Sequence, residues 1–331
     1  MARAWQGAYL ALGLLSLASA SPVRAADEND ERAAPYRAVA ALDARLQTTG
    51  WRLARANAPF CDHVAPAIGL LVQDLQSWAE PDEAREAFGV SDNTQVIVGA
   101  VAAGSPAAEA GLLPGQPLRT ITDYILDIDL PPAAPGTYQR QTLLLDLIDR
   151  ALLTNGWVAL GFDGGTEGRQ FVRIHGENVC ASRFEIASDG KATLADGDRI
   201  VIEGQTAAQL DEAPFAFLVA HELAHNILAH RDWLDQHRRG WKNVRRTERE
   251  ADRLAVWLLA NAGYDPQGGV RLMREWVRRR EGLFNTTHDA WDERAAAIRA
   301  EIALVAASSA RPGEYDWSSR FSRVAETATA R

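Results

Sequence analysis

The chain has 331 residues, 47% of them hydrophobic, and a formal net charge of −9. That length suits two folding units behind a leader, and the apolar content is enough for sizeable cores. The acidic balance argues against nucleic acid as a partner. Basic residues do cluster, at Arg238, Arg239, Lys242, Arg245 and Arg246 and again at Arg278, Arg279 and Arg280. A solvated helix face is the default reading of such runs, and contact with an anionic membrane surface is the alternative.

Arg3, an apolar run from Ala8 to Ala20 and the small residues after it read as a secretory signal over residues 1–25. Cleavage after Ala20 or after Ala25 fits equally. The run is too short to cross a bilayer comfortably and no other stretch approaches a span, so no membrane span is expected once the leader is gone. A bacterial periplasm is the expected compartment, with secretion beyond it as the alternative. Residues 26–84 are expected to form an N-terminal segment packed on the last domain. The two cysteines, Cys61 and Cys180, invite a disulfide in an oxidising compartment, against two buried free thiols. A bridge would close a long loop, stabilise by about 4–5 kcal/mol on the chain-entropy model, and make the intervening residues an insertion.

That insertion, residues 85–178, has its own signature. Val96 to Val101 reads as a strand running into Gly104-Ser105-Pro106, an alanine-rich short helix, and Gly111 to Gln116. Thr142 to Leu153 reads as a helix, and Trp157 to Phe162 and Gln170 to Ile174 as closing strands. The pattern resembles the PDZ domains of periplasmic proteases. The resemblance implies that Phe88, Gly89 and Val90 offer backbone N–H groups to the carboxylate of a C-terminal peptide ligand. It departs from the usual pattern at Leu118 to Tyr124, which lacks an Asn-Gly or Asp-Gly turn.

The last domain, residues 179–306, carries the chemistry. It is expected to open with a strand at Arg183 to Ala187 and a hairpin leading to Arg199–Ile202, an edge strand suited to aligning an extended substrate. His221-Glu222-Leu223-Ala224-His225 follows, and no Gly or Pro interrupts Phe215 to His230. On a helix, His221 and His225 share a face, while Glu222 sits about 100° around the cylinder, within reach of a water on a metal bound there. A catalytic zinc needs a third protein ligand and an open fourth position. A third histidine six residues after His225 is absent, because Leu228 stands where a glycine would be and His230 comes one position early. The helical segment Glu248-Arg249-Glu250-Ala251-Asp252 can supply an acidic ligand instead. His230 and His237 read as non-ligands in a charged segment, and Glu250 as a solvated helix residue.

HELAH followed by E-x-E-A-D-R-L-A resembles the gluzincin metallopeptidases grouped with HtpX and the CAAX prenyl endopeptidases, metallopeptidase family forty-eight. The resemblance covers roughly residues 179 to 305. It implies Glu248 as the third zinc ligand and Asp252 as the partner that orients a zinc histidine. Thr287-His288-Asp289 through Arg294 resembles the family's T-H-P-x-x-x-x-R segment, with aspartate where proline is usual. There the resemblance implies a histidine near the metal at His288, stabilising an oxyanion or capping the ion, and a nearby arginine at Arg294.

Further helices are expected at Phe215–His230, Arg246–Ala262, Gln267–Glu281 and Asp289–Ala306, with residues 307–331 a flexible tail. The expected architecture is α+β: a mainly helical zincin-type domain with a small sheet, plus the inserted β-rich domain. The expected function is an exported metalloendopeptidase using one Zn²⁺ and Glu222 as general base on protein or peptide substrates. The competing expectation is a PDZ-based binding or chaperone-like protein whose zinc is structural, or capped by His288.

Overall fold

A 36-residue helix, α1 (Pro22–Asn57), runs through the middle of the molecule, and its apolar side chains Leu46, Trp51, Leu53 and Ala54 are all buried. The computed structural model describes residues 22–163, 168–187, 193–277 and 291–321. The leader therefore lies outside the described residues up to position 21. The expected cleavage point after Ala20 also lies outside the described residues, whereas the one after Ala25 falls in the first turn of α1.

The fold is α+β, with two principal apolar cores. After α1 come β1 (Val64–Ala67), β2 (Leu70–Asp74), α2 (Pro81–Phe88), β3 (Val96–Val101) and α3 (Pro106–Glu109). They are followed by β4 (Pro117–Ile121), β5 (Tyr124–Ile125), α4 (Leu126–Asp129), α5 (Gln139–Asn155), β6 (Trp157–Asp163) and β7 (Arg169–His175). Strands β2-β3-β4-β6-β7 form one antiparallel sheet in that order, with β5 on β4. Leu144, Ile148 and Leu152, spaced on one face of α5, bury against Val72, Leu118, Val158 and Leu160 of the sheet. The sheet draws its first strand from Leu70–Asp74, upstream of the boundary at 85 that composition suggested.

Beyond it lie β8 (Glu177–Cys180), β9 (Arg183–Ala187), β10 (Leu194–Ala195), β11 (Arg199–Glu203), α6 (Gly204–Gln209), α7 (Glu212–Ile227), α8 (His230–His237) and α9 (Trp241–Asn261). The chain ends with α10 (Gln267–Arg271), which continues as a π-helical turn over Leu272–Val277, then α11 (Trp291–Ala307) and α12 (Ser318–Phe321). Strand β8 pairs antiparallel with β1, placing Val64 opposite Cys180, and Cys61 and Cys180 form a disulfide beside that ladder. The bridge joins the end of α1 to the start of the final domain.

The expected hairpin into Arg199–Glu203 forms, with β10 and β11 pairing antiparallel across Asp196-Gly197-Asp198, but Arg183–Ala187 joins it in parallel, with Ile200 opposite Phe184. The expectation of an edge strand is corrected: β11 is the middle strand of β10-β11-β9, so Arg199–Ile202 has no free edge for a substrate. Ile200 and Ile202 point from β11 into the larger apolar core and are fully buried.

Helix α7 is apolar almost all round, which marks a helix buried on every side: Phe215, Phe217, Val219, Ala220, Leu223 and Ala224 have almost no exposed surface. Helix α9 packs along it, and α10 crosses closely at Gly268, where a Cβ would lie 2.1 Å from the Ala213 carbonyl oxygen. The segment after 307, expected to be a flexible tail, is packed as far as Phe321. Trp317 and Phe321 are buried, the Trp317 indole donates to Asn57 Oδ1, and the Tyr315 amide donates to Asn261 Oδ1. Aromatic anchors outweigh a Ser-, Arg- and Ala-rich composition, because each removes a large apolar surface from water. Among the described residues no helix is long and apolar enough to cross a membrane.

Candidate metal centre

One turn of helix separates His221 from His225 on α7, and one turn separates Glu248 from Asp252 on α9. Where the helices meet, three side chains converge: His221 Nε2 to His225 Nε2 is 3.1 Å, His221 Nε2 to Glu248 Oε2 3.4 Å, and His225 Nε2 to the other Glu248 oxygen, Oε1, 3.5 Å. Ligands about 2.0–2.1 Å from a tetrahedral ion stand about 3.3 Å from one another, and the separations here are of that size. His221, His225 and Glu248 are the set among the described residues whose His, Cys and carboxylate atoms could hold a metal ion.

The electrostatics fit that use. Burial opposes charge on His221, yet Asp252 and Glu248 outweigh it and raise its pKa to about 10. Burial and the neighbouring His221 push His225 well below its usual value, keeping a neutral imidazole. Burial also opposes charge on Glu248, but contact with His221, His225 and Arg294 holds it well below the ordinary carboxylate range. The cluster thus draws positive charge to its centre. Glu222, beside His221 on α7, is buried, and burial raises its pKa to about 7, where a carboxylate can both take and return a proton near neutrality.

Each imidazole is held from behind, where the sequence marked only one such partner. His221 Nδ1 lies 3.0 Å from Asp252 Oδ1, a close polar contact not aligned as a straight hydrogen bond. Asp252 is fully buried and gripped at both oxygens by Arg294 of α11, whose Nη2 also lies 3.6 Å from Glu248. Helix α7 ends at Ile227, earlier than expected, and Ala229 adopts a left-handed conformation (φ 48°, ψ 41°) that costs roughly 1–2 kcal/mol for a residue with a Cβ. That turn swings His230 back beneath the motif. Its Nδ1 lies 2.8 Å from His225 Nδ1 and its Nε2 3.3 Å from Glu250 Oε2. His230 is 1% exposed, and Glu250 contacts both His230 and Arg246. His230 stands outside the ligand set, as expected, but it is buried against it, and Glu250 is not the freely solvated residue its neighbours suggested; the signal available beforehand was the apolar Ile227-Leu228-Ala229 leading into His230. His237 lies apart, its ring stacked on Trp233. His288 falls outside the described residues.

Phe88-Gly89-Val90 forms the end of α2 and the turn that caps it. Gly89 is the left-handed cap of α2; its N–H donates to Glu86 O and that of Val90 to Arg85 O, each at 3.0 Å. Those amides are already used, and Phe88 packs by Trp78. The strand facing α5 is instead β2, entered through Ile68 and Gly69. There, beneath Trp51 of α1, lies a cavity of about 80 Å³ lined by Ile68, Gly69, Leu71, Ile148 and Leu152. Gln141 of α5 bonds the outer edge of β2, donating to Val72 O at 2.5 Å and accepting from Asp74 N at 2.7 Å.

No protein-family model, curated protein or solved structure matches this chain.

Proposed function

We propose that the protein is a zinc-dependent metalloendopeptidase of the HtpX-like kind, acting on proteins outside the cytoplasm. The observation that carries the reading is the convergence of His221, His225 and Glu248 at separations of zinc-ligand size with buried Glu222 next to them. Two imidazoles and one carboxylate are the donor set of a hydrolytic rather than a closed structural zinc site, which takes four protein ligands. A zinc ion held there supplies Lewis acidity towards a water and a peptide carbonyl. Glu222 takes the proton from the water and returns it to the leaving amine. Arg294 offsets charge on Glu248 and Asp252 and keeps the pair in place. The cystine supports an oxidising compartment, and we assign the periplasm.

The six-stranded sheet with α5 is read as a PDZ-like module. Its groove then lies between β2 and α5 and is roofed by α1, so the module serves chiefly to brace the catalytic unit.

The test is hydrolysis of casein by the mature protein and by Glu222→Gln, with zinc content measured on both. Zinc in both and cleavage only in the parent supports the reading. Zinc in both and cleavage in neither favours the binding-protein alternative, and cleavage by Glu222→Gln at the parent's rate removes Glu222 as base.

A further inference from the structure

We propose that His230 and Glu250 form a hydrogen-bonded chain that holds the His225 ring with Nε2 turned to the metal, making both of them positioning residues of the centre. The inference rests on the metal-centre reading and extends it.

The argument is one of tautomers. To ligate through Nε2, the atom that faces His221 and Glu248, His225 must carry its proton on Nδ1. That N–H meets His230 Nδ1 at 2.8 Å, so His230 Nδ1 must be the acceptor. A neutral His230 then carries its proton on Nε2, and Nε2 lies 3.3 Å from the Glu250 carboxylate, an acceptor with no proton to give when ionised. The opposite tautomer of His230 would set two N–H groups against each other at His225 and a lone pair against the carboxylate. Arg246 Nε, 3.3 Å from the other Glu250 oxygen, holds that carboxylate in place. Of the two neutral tautomers of His230, one satisfies both of its contacts, and it is the one that frees His225 Nε2 for a metal.

The rings are placed for this and little else. They meet edge to face with centroids 4.7 Å apart, in a pocket where His230 is 1% exposed. Helix α9 thus serves both metal imidazoles: Asp252 backs His221 directly, and Glu250, on another side of the same helix, backs His225 through His230. Partners of this kind set ligand orientation and basicity, and their loss typically weakens metal binding by about 10–100-fold.

The experiment measures zinc affinity by competition with a chromogenic chelator in the parent, His230→Leu and His230→Gln, with thermal melts of the metal-free proteins beside it. Leucine fills the space without polar atoms. Glutamine can accept from His225 through its oxygen and donate to Glu250 through its amide. The expected result is zinc binding about 10–100-fold weaker in His230→Leu and within about threefold of the parent in His230→Gln. Equal affinities in parent and His230→Leu would overturn the proposal while leaving the metal centre intact. A parent that binds no zinc would overturn the metal-centre reading itself, and this inference with it. Should His230→Leu fail to fold, Glu250→Leu, which removes the acceptor, carries the test on a more exposed side chain: weakening of about fivefold or more supports the chain, and unchanged affinity overturns it.

Discussion

Asp252 and Arg294 meet in a buried two-point ion pair, Oδ2 to Nε at 2.6 Å and Oδ1 to Nη2 at 2.8 Å, and the same Oδ1 stands 3.0 Å from His221 Nδ1. A guanidinium on α11 therefore fixes a carboxylate on α9 that orients an imidazole on α7. Arg294→Ala would leave the Asp252 charge buried and unpaired. It should lower stability by about 3–5 kcal/mol and weaken zinc binding about 10–100-fold. Arg294→Lys, which keeps the charge and loses the fork, should fall between. Urea unfolding and chelator competition read the two effects separately; unchanged zinc affinity in Arg294→Ala would detach this pair from the metal centre.

Asp43 on α1 is buried and accepts the Ile186 N–H at 3.1 Å. Burial pushes its pKa from 3.8 to about 7, against the Ile186 bond and with some help from Glu185. The folded chain thus binds this proton more tightly than the unfolded one. The stabilisation is full below about pH 4 and is lost as pH rises through about 7. Asp43→Asn keeps an acceptor for Ile186 and has no proton to lose. Its advantage over the parent should grow from near zero at low pH to at most about 4 kcal/mol at pH 8. Melting curves from pH 4 to 8 check this, and parallel profiles for the two proteins would contradict it.

The Cys61–Cys180 bridge closes a loop with a sequence separation of 119 and lies beside the β1–β8 ladder. Reduction, or replacing both cysteines by serine, should cost about 2–5 kcal/mol. Calorimetry with and without reductant measures it; a parent whose melting point ignores reductant would show that the bridge contributes nothing to stability.

Gln141 and α1 occupy the outer side of β2, where a peptide would add as a strand. Peptides with free and amidated C-termini should therefore bind the parent equally weakly. A tenfold preference for the free carboxylate, seen by calorimetric titration, would mean that the groove opens and that α1 moves aside.

Much of the site was legible in the chain because its signals are local. Two histidines four residues apart and an acidic pair four apart each define one face of a helix, whatever else the protein does. The strands at 96–101, 157–163 and 183–187 were equally visible, since short apolar runs between turn residues need no distant information. At Phe88-Gly89-Val90 the local signal is ambiguous, and the structure spends the Gly89 and Val90 amides on the cap of α2. A glycine after an apolar residue reads the same whether it opens its amides to a ligand or spends them on a helix cap.

By itself, then, the sequence determined which side chains could share a helix face and which two sulfurs could meet. Tertiary structure alone decided how faces from different helices combine. Parallel rather than antiparallel pairing of β9 with β11, burial of Trp317 against Asn57, and the seating of His230 against Glu250 of α9 all depend on contacts between separate segments. Periodicity reports how a segment is exposed along its own axis. It holds no record of which neighbour covers it, and that neighbour is what turns a charged-looking histidine into a buried partner of the candidate metal centre.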